Sequence, residues 1–324
     1  MYRILCDSYV LYDPRLPEFF VFEPELTQKK NEPGELTFTI PKEHPNYGIL
    51  EKLKSRINVY RDDTLIWVGR AIEDERDLYE NRKVVAEGVL AFLLDSILRP
   101  FTMDGTAADI WEYILTQHNA EVNPNQRVGI GSCDITGTVN IAAKDYLSVW
   151  QVMKTCLLDS LGGYLIVRFD ENENPILDYL TDVPDTSTQQ IEFGENLIDL
   201  VLTKNASETY TACIPLGAAL RDIDPESESD ARLTIESVNE GQDFLFDSAL
   251  AAEYGVIFAP IGLTTWDDVT DATILMNRGQ DWLSGTGTRF KQTIKLSAVD
   301  LHHADANVES FHFLDKVVVS CGML

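Results

Sequence analysis

VYRDDTLIWVGRAIEDERD, residues 59–77, decides how the first part of the chain folds. Asp62 and Asp63 stand as a turn between two runs rich in strand-forming residues, which is the signature of a hairpin. With strands on both sides, Ile57, Val59, Leu65, Trp67 and Ile72 are expected to point into one core. Upstream, FFVFEPEL (19–26) and GELTFTIP (34–41) are short strand candidates edged by Pro or Gly. The opening MYRILCDSYVLYDP alternates through Tyr2, Ile4, Cys6 and Ser8, a strand that starts almost at the first residue. Downstream, RKVVAEGVLAFLLDSIL gives a strand from Lys83 to Gly88 and then an apolar run from Val89 to Leu98. Met1 to Asp95 is therefore expected to form a small antiparallel barrel or sandwich.

The pattern then changes. Thr106 is placed to cap a helix, ADIWEYILTQHN, with Ile110, Trp111, Ile114 and Leu115 on one face. A turn-rich passage leads to a second helix, DYLSVWQVMKTCLLDSLG (145–162), whose stripe is Leu147, Trp150, Val152, Met153, Cys156, Leu157 and Leu161. Gly162 and Gly163 stop it. GYLIVRFDENENPILDYL then reads as a strand pair around an Asn-rich turn, so 96–190 is expected to be an α+β unit.

From Ile191 the β character returns. The run Asp222, Asp224, Glu226, Glu228 and Asp230 reads as a solvated loop. LTIESVNEGQDFLFDSALAAEYG suggests strands and a short helix, and Asp267 or Thr270 is placed to open the helix DVTDATILMNRGQDWLSG. RFKQTIKLSAVDLH and SFHFLDKVVVS read as two amphipathic strands that complete the sheet begun near Ile191. No internal repeat is visible.

With 324 residues, 44% of them hydrophobic and 10% aromatic, the chain is long enough for two to four compact units and too apolar for disorder. Its 53 Asp plus Glu against 26 Lys plus Arg give a net charge of −27. A protein that grips a duplex needs phosphate-neutralising cations, and an anionic membrane surface repels such a chain. The acidity serves either solubility or a surface past which another polyanion slides. The N-terminus lacks the basic and long apolar regions of a signal peptide, and no stretch approaches a membrane span. Cys6, Cys133, Cys156, Cys213 and Cys321 are scattered with no CxxC pair, which fits synthesis and assembly in a reducing cytosol.

Catalytic signals are weak. No P-loop, dinucleotide fingerprint, HExxH or GxSxG stands in the sequence. GIGSC (Gly129–Cys133) lacks the strand-turn-helix setting that holds a phosphate and reads as a turn. His302, His303, Asp305 and His312 have the chemistry of zinc ligands. Neighbouring residues of a regular strand face opposite ways, however, so His302 and His303 cannot both ligate from one. His44 precedes Pro45 in a turn. His118 ends a helix, where the dipole favours a cation. Trp67, Trp111, Trp150, Trp266 and Trp282 sit in apolar periodic contexts and read as core. No catalytic, cofactor-binding or metal-binding residue is assigned, and no cofactor is expected.

IWVGRAIEDERD with AEGVLAFLLDS, the TQHN helix end, LGGYLIVRF with ILDYL, QQIEFGENLIDL, YTACIPLGA (Tyr210–Ala218) and LTIESVNEGQDF with EYGVI follow one another in an order that resembles the N-terminal module of phage tail proteins from Gram-positive hosts. These are the tail-associated lysins, prophage tail endopeptidases and minor structural proteins. The resemblance spans nearly the whole chain and is most specific at YTACIPLGA, then at Gly69–Asp77.

It implies a fold similar to the myophage baseplate hub, which is α+β, multidomain and β-rich. Two tail-tube-like β-barrels carry two α+β decorating domains, and three copies form a pseudo-hexameric ring. The first barrel falls on 1–95 and the first decorating domain on 96–190. The second barrel falls on 191–230 and 287–324, with the second decorating domain inserted at 231–286. The implied role is a virion structural protein, the hub of a phage or prophage tail tip or baseplate, assembled in the bacterial host cytoplasm. Its partners are two further copies of itself, the distal tail protein, the tail tube and the tape measure protein. DNA passes through the lumen without specific binding, and there is no membrane insertion. Family members often carry a cell-wall hydrolase or receptor-binding extension, and a sequence that stops at Leu324 leaves that catalytic region without a counterpart. The chain is accordingly expected not to be an enzyme. The rival readings are a peptidoglycan hydrolase, endopeptidase or lysozyme, and a carbohydrate-binding adhesion module.

Overall fold

A computed structural model describes residues 1–143, 145–207, 209–223, 231–267, 269–287 and 291–320. The chain divides into two units, Met1–Gln189 with Glu309–Val318 and Gln190–Val308 with Val319–Leu324.

The first unit opens with β1 (Tyr2–Cys6), β2 (Tyr9–Tyr12), β3 (Phe22–Thr27), β4 (Glu35–Ile40), β5 (Arg56–Arg61), β6 (Thr64–Arg76) and β7 (Arg82–Gly88). They form one curled antiparallel sheet in the order β2-β1-β5-β6-β7-β4-β3. The hairpin expected at Asp62-Asp63 is present: Arg61 lies opposite Thr64, and Asp62 takes the left-handed conformation of a tight turn, φ +54°. Period-2 alternation sends Ile4, Leu11, Leu36, Phe38, Ile57, Val59, Trp67 and Val84 into a single core on the sheet's inner face. Ile72 does not join them. The β6–β7 register shifts between Ala71 and Glu73, the alternation resets, and Ile72 is left exposed.

The same unit continues through a 3₁₀ turn (Val89–Leu94), β8 (Ile97–Leu98), β9 (Phe101–Thr106), α1 (Ala107–Glu121), β10 (Gly129–Cys133), β11 (Thr138–Ala143) and β12 (Leu147–Ser148). A helical stretch follows, made of α2 (Val149–Val152), a π-type segment (Met153–Leu158) and α3 (Asp159–Leu161), and then β13 (Tyr164–Phe169) and β14 (Pro175–Leu180). Thr106 caps α1 as expected. Its Oγ1 accepts the Asp109 N–H, and the Asp109 carboxylate accepts the Thr106 N–H in return. The second helix starts later than its apolar stripe suggests. Ser148 Oγ accepts the Gln151 N–H at 3.1 Å, so Leu147 belongs to β12. Gly162 and Gly163 end it with φ of +72° and +92°. β10, β14 and β13 make a three-stranded sheet, and one core binds it to the helices and the 3₁₀ turn through Leu90, Phe92, Trp111, Ile114, Met153 and Tyr179.

The second unit contains β15 (Ile191–Glu192), β16 (Leu197–Asn205), β17 (Ala212–Cys213), α4 (Leu220–Ile223), β18 (Leu245–Phe246), α5 (Ser248–Tyr254), α6 (Ala272–Trp282), β19 (Lys291–Ala298) and β20 (Val319–Ser320). β16 pairs antiparallel with β19, and β15 pairs parallel with β20, so late segments return to early ones. A small core of Cys213, Ile235, Leu245, Val269, Leu275 and Leu283 lies between α6 and the irregular segments. Three expectations are corrected here. The α6 N-cap is Asp271, whose Oδ1 accepts the N–H groups of Thr273 and Ile274, rather than Asp267 or Thr270. LTIESVN (233–239) contains no strand: the isolated bridge of Ala219 with Arg232 comes just before it, and the segment runs into a turn. SFHFLDKVVVS is strand only at Val319–Ser320, because residues 309–318 serve the first unit through backbone bonds to distant chain. Ser187 N–H donates to Lys316 O at 2.9 Å, and Lys316 N–H donates to Asp185 O at 3.1 Å.

Candidate functional site

The residues singled out by their chemistry are held by structural partners. Gly129–Cys133 is a strand beside β14, not a loop. The Asp178 carboxylate accepts the Ser132 N–H at 2.7 Å, and a Cβ at position 131 would lie 2.0 Å from Asp178 Oδ1, so glycine is required for the strand's approach. Arg168 holds the same carboxylate at 2.7 Å.

His302 and His312 fall in different units. His302 Nδ1 donates to Val308 O at 2.6 Å, and His312 stands 3.4 Å from the Asp315 carboxylate. Among the described residues no group of three His, Cys, Asp or Glu is placed to hold a metal ion.

His118 is fully buried, which corrects the view of it as a helix-end cation. Nε2 donates to Gln126 O at 3.1 Å, so Nδ1 accepts the Ser96 hydroxyl at 2.7 Å. Burial lowers its pKa and keeps it neutral. The Ser96–His118 pair has the atoms of a nucleophile and its base, but both side chains are sealed from solvent. His44 is likewise buried with its pKa lowered by desolvation; Nε2 donates to Leu11 O and Nδ1 accepts the Asn46 N–H. Burial also pushes Cys6 and Cys213 up to about 11, well away from thiolate chemistry at neutral pH. Trp67 and Trp111 are buried, and Trp150, Trp266 and Trp282 pack against the cores. In the acidic run, Asp222 lies within α4 rather than in a loop, and residues 224–230 lie outside the described residues.

A cleft of 970 Å³ in the first unit went unnoticed in the sequence. The inner face of the curled sheet supplies a buried floor of Ile4, Leu36, Val59 and Trp67, β13 supplies Leu165 to Phe169, and residues 311–314 complete the lining. Arg61 donates to Phe311 O and so anchors the late segment beside β5. The surface is mostly aliphatic and aromatic, and Lys29, Arg61 and Arg168 are set against Glu32 and Asp185. Such a lining is suited to apolar contact.

No family model matches the chain, and no curated protein matches it. Solved structures do. A 43 kDa tail protein of prophage MuSo2 from Shewanella oneidensis aligns with 99% of this chain and 89% of its own, with a TM-score of 0.61 at 12% identity. A tail protein from Neisseria meningitidis MC58 aligns over 89% of this chain and 78% of its own, with a TM-score of 0.53 at 12% identity. The chain thus shares its fold with these phage tail proteins. At this identity the likeness is one of fold.

Proposed function

We propose that the chain is a structural component of a phage or prophage tail, and specifically the tail-tip hub. In this reading three copies close into a ring at the end of the tail tube, contact the distal tail and tape measure proteins, and let DNA pass through the lumen. The likeness to the Shewanella prophage tail protein over 99% of the chain carries the proposal, because it extends well beyond one shared sheet.

The curled sheet within residues 1–95 is the first tube-like barrel, and 96–190 is its decorating domain. The β16–β19 pairing joins 197–205 to 291–298 and so supports a second barrel drawn from 191–230 and 287–324 on either side of the inserted 231–286, with 309–318 belonging to the first unit. A net charge of −27 supplies a repulsive wall for DNA phosphates. The role is non-enzymatic and its location is the virion tail, with assembly in the host cytoplasm. Labelling purified tail particles with an antibody against this chain tests the placement: label at the tail tip is expected, and label on the capsid or none at all contradicts it.

A further inference from the structure

Among the described residues, the β16–β19 ribbon lies outside the hydrophobic core of the second unit. Leu200 lies opposite Leu296 and Leu202 opposite Ile294, so these four aliphatic side chains share one face. The other face carries Val201 with Lys295 and Thr203 with Thr293. Leu202 and Ile294 are 38% and 46% exposed, and Ile198, at the register shift beside them, is 68% exposed. No ribbon residue belongs to a hydrophobic core among the described residues. A two-stranded ribbon alone in water is marginal, and an alternating strand pair with one apolar face is built to be covered.

The edges point the same way. The seven-stranded sheet of the first unit guards its edge strands. Asn46 and His44 side chains take the Val10 and Leu11 carbonyls of β2, while β3 carries Pro24, which has no N–H, within a register shift. β16 and β19 have no such guard. Among the described residues their backbones bond to each other, with the Leu200 N–H also given to Asp199 Oδ1. No proline interrupts either strand.

Charge selects the occupant. The two strands carry Lys204, Lys291 and Lys295 against the single acid Asp199, in a chain whose net charge is −27. The ribbon is therefore a basic segment on an acidic protein, opposite in sign to the net charge of an identical copy. Open edges and an aliphatic face suit a protein partner rather than a nucleic acid. We propose that the β16–β19 ribbon docks on a second copy of this chain, its apolar face covered and an edge paired there. This deepens the ring reading by naming the element that joins the copies.

The test uses the full chain. The mass of the wild type and of Leu202→Glu is measured by light scattering over a dilution series, and amide exchange of residues 197–205 and 293–298 is followed in assembled and diluted wild type. The inference expects the variant to need at least about tenfold higher concentration to assemble, and ribbon amides that are protected only when assembled. A wild-type trimer whose variant assembles equally well, with unchanged ribbon exchange, overturns the docking and leaves the ring reading standing. A wild-type dimer that Leu202→Glu dissolves keeps the docking and removes the threefold ring. A monomeric wild type overturns both. Protection that appears only when duplex DNA is added assigns the ribbon to nucleic acid and overturns the inference. Should the variant fold poorly, the exchange experiment on wild type decides alone.

Discussion

Asn31 and Leu165 are joined as two strands would be, although one of them contributes a side chain. Asn31 Oδ1 accepts the Leu165 N–H at 2.8 Å and its Nδ2 donates to Gly163 O at 3.1 Å. Asn31 sits at φ +55°, a conformation Asn tolerates better than most residues, and Lys30 places its ammonium 3.7 Å from the Tyr164 ring centre. The loop before β4 thus holds the start of β13 against one side of the cleft. Asn31→Ala removes both bonds and is expected to cost about 1–3 kcal/mol, read as a lower urea midpoint for the first unit. An unchanged midpoint would show that the loop and β13 are held by other contacts.

His118 makes stability depend on pH. Its folded pKa lies below the ordinary value of 6.5 because burial penalises the charged ring. Below pH 6.5 the unfolded chain therefore binds more protons than the folded one, and stability falls as pH drops from 7 towards 5. His118→Gln, whatever it costs at pH 7.5, is expected to have a shallower slope of urea midpoint against pH. Equal slopes in the two proteins would contradict the buried neutral imidazole.

Arg70 ties the seven-stranded sheet to the turn after it. Its guanidinium pairs with Glu87 at 2.8 Å and with Asp95, and it stacks 5.0 Å from the Phe92 ring centre. Arg70→Ala removes a buried guanidinium from the partly exposed Glu87 and the exposed Asp95 and is expected to destabilise by about 1–3 kcal/mol. A double-mutant cycle with Asp95→Ala should show coupling of about 1–3 kcal/mol, and additive losses would deny the pair.

Gly88 is fixed by space. A Cβ there would lie 2.0 Å from Pro33 O and 2.8 Å from Trp67 Nε1, whereas at Gly48 it would meet nothing within 4 Å. Gly88→Ala is expected to cost about 2–3 kcal/mol through overpacking against backbone. Gly48→Ala is expected to stay within about 0.5 kcal/mol of wild type. Similar melting behaviour of the two variants would refute this packing.

The parts legible in the sequence were those written locally. The Asp62-Asp63 hairpin needs four residues and an alternation, and α1 needs Thr106, Asp109 and an apolar face at Ile110, Trp111, Ile114 and Leu115. Ile72 was misplaced because a one-residue shift at Ala71/Glu73 leaves no local mark yet reverses every later side chain. SFHFLDKVVVS alternates like a strand, but its backbone partners lie near Asp185, far away in sequence. Several acidic and hydroxyl residues stand close before α6, so composition alone did not select Asp271. The cleft was invisible for a similar reason. Ile4, Trp67, Leu165 and Phe313 have no common motif and meet only through tertiary folding.

The threefold ring is tested most directly by weighing and imaging the purified chain. Native mass measurement at micromolar concentration should give three times the 36.5 kDa of one chain, and negative-stain averages should show an open ring with a central channel. A particle that stays at the mass of one chain across the concentration range, or that forms closed assemblies with no channel, would contradict a hub.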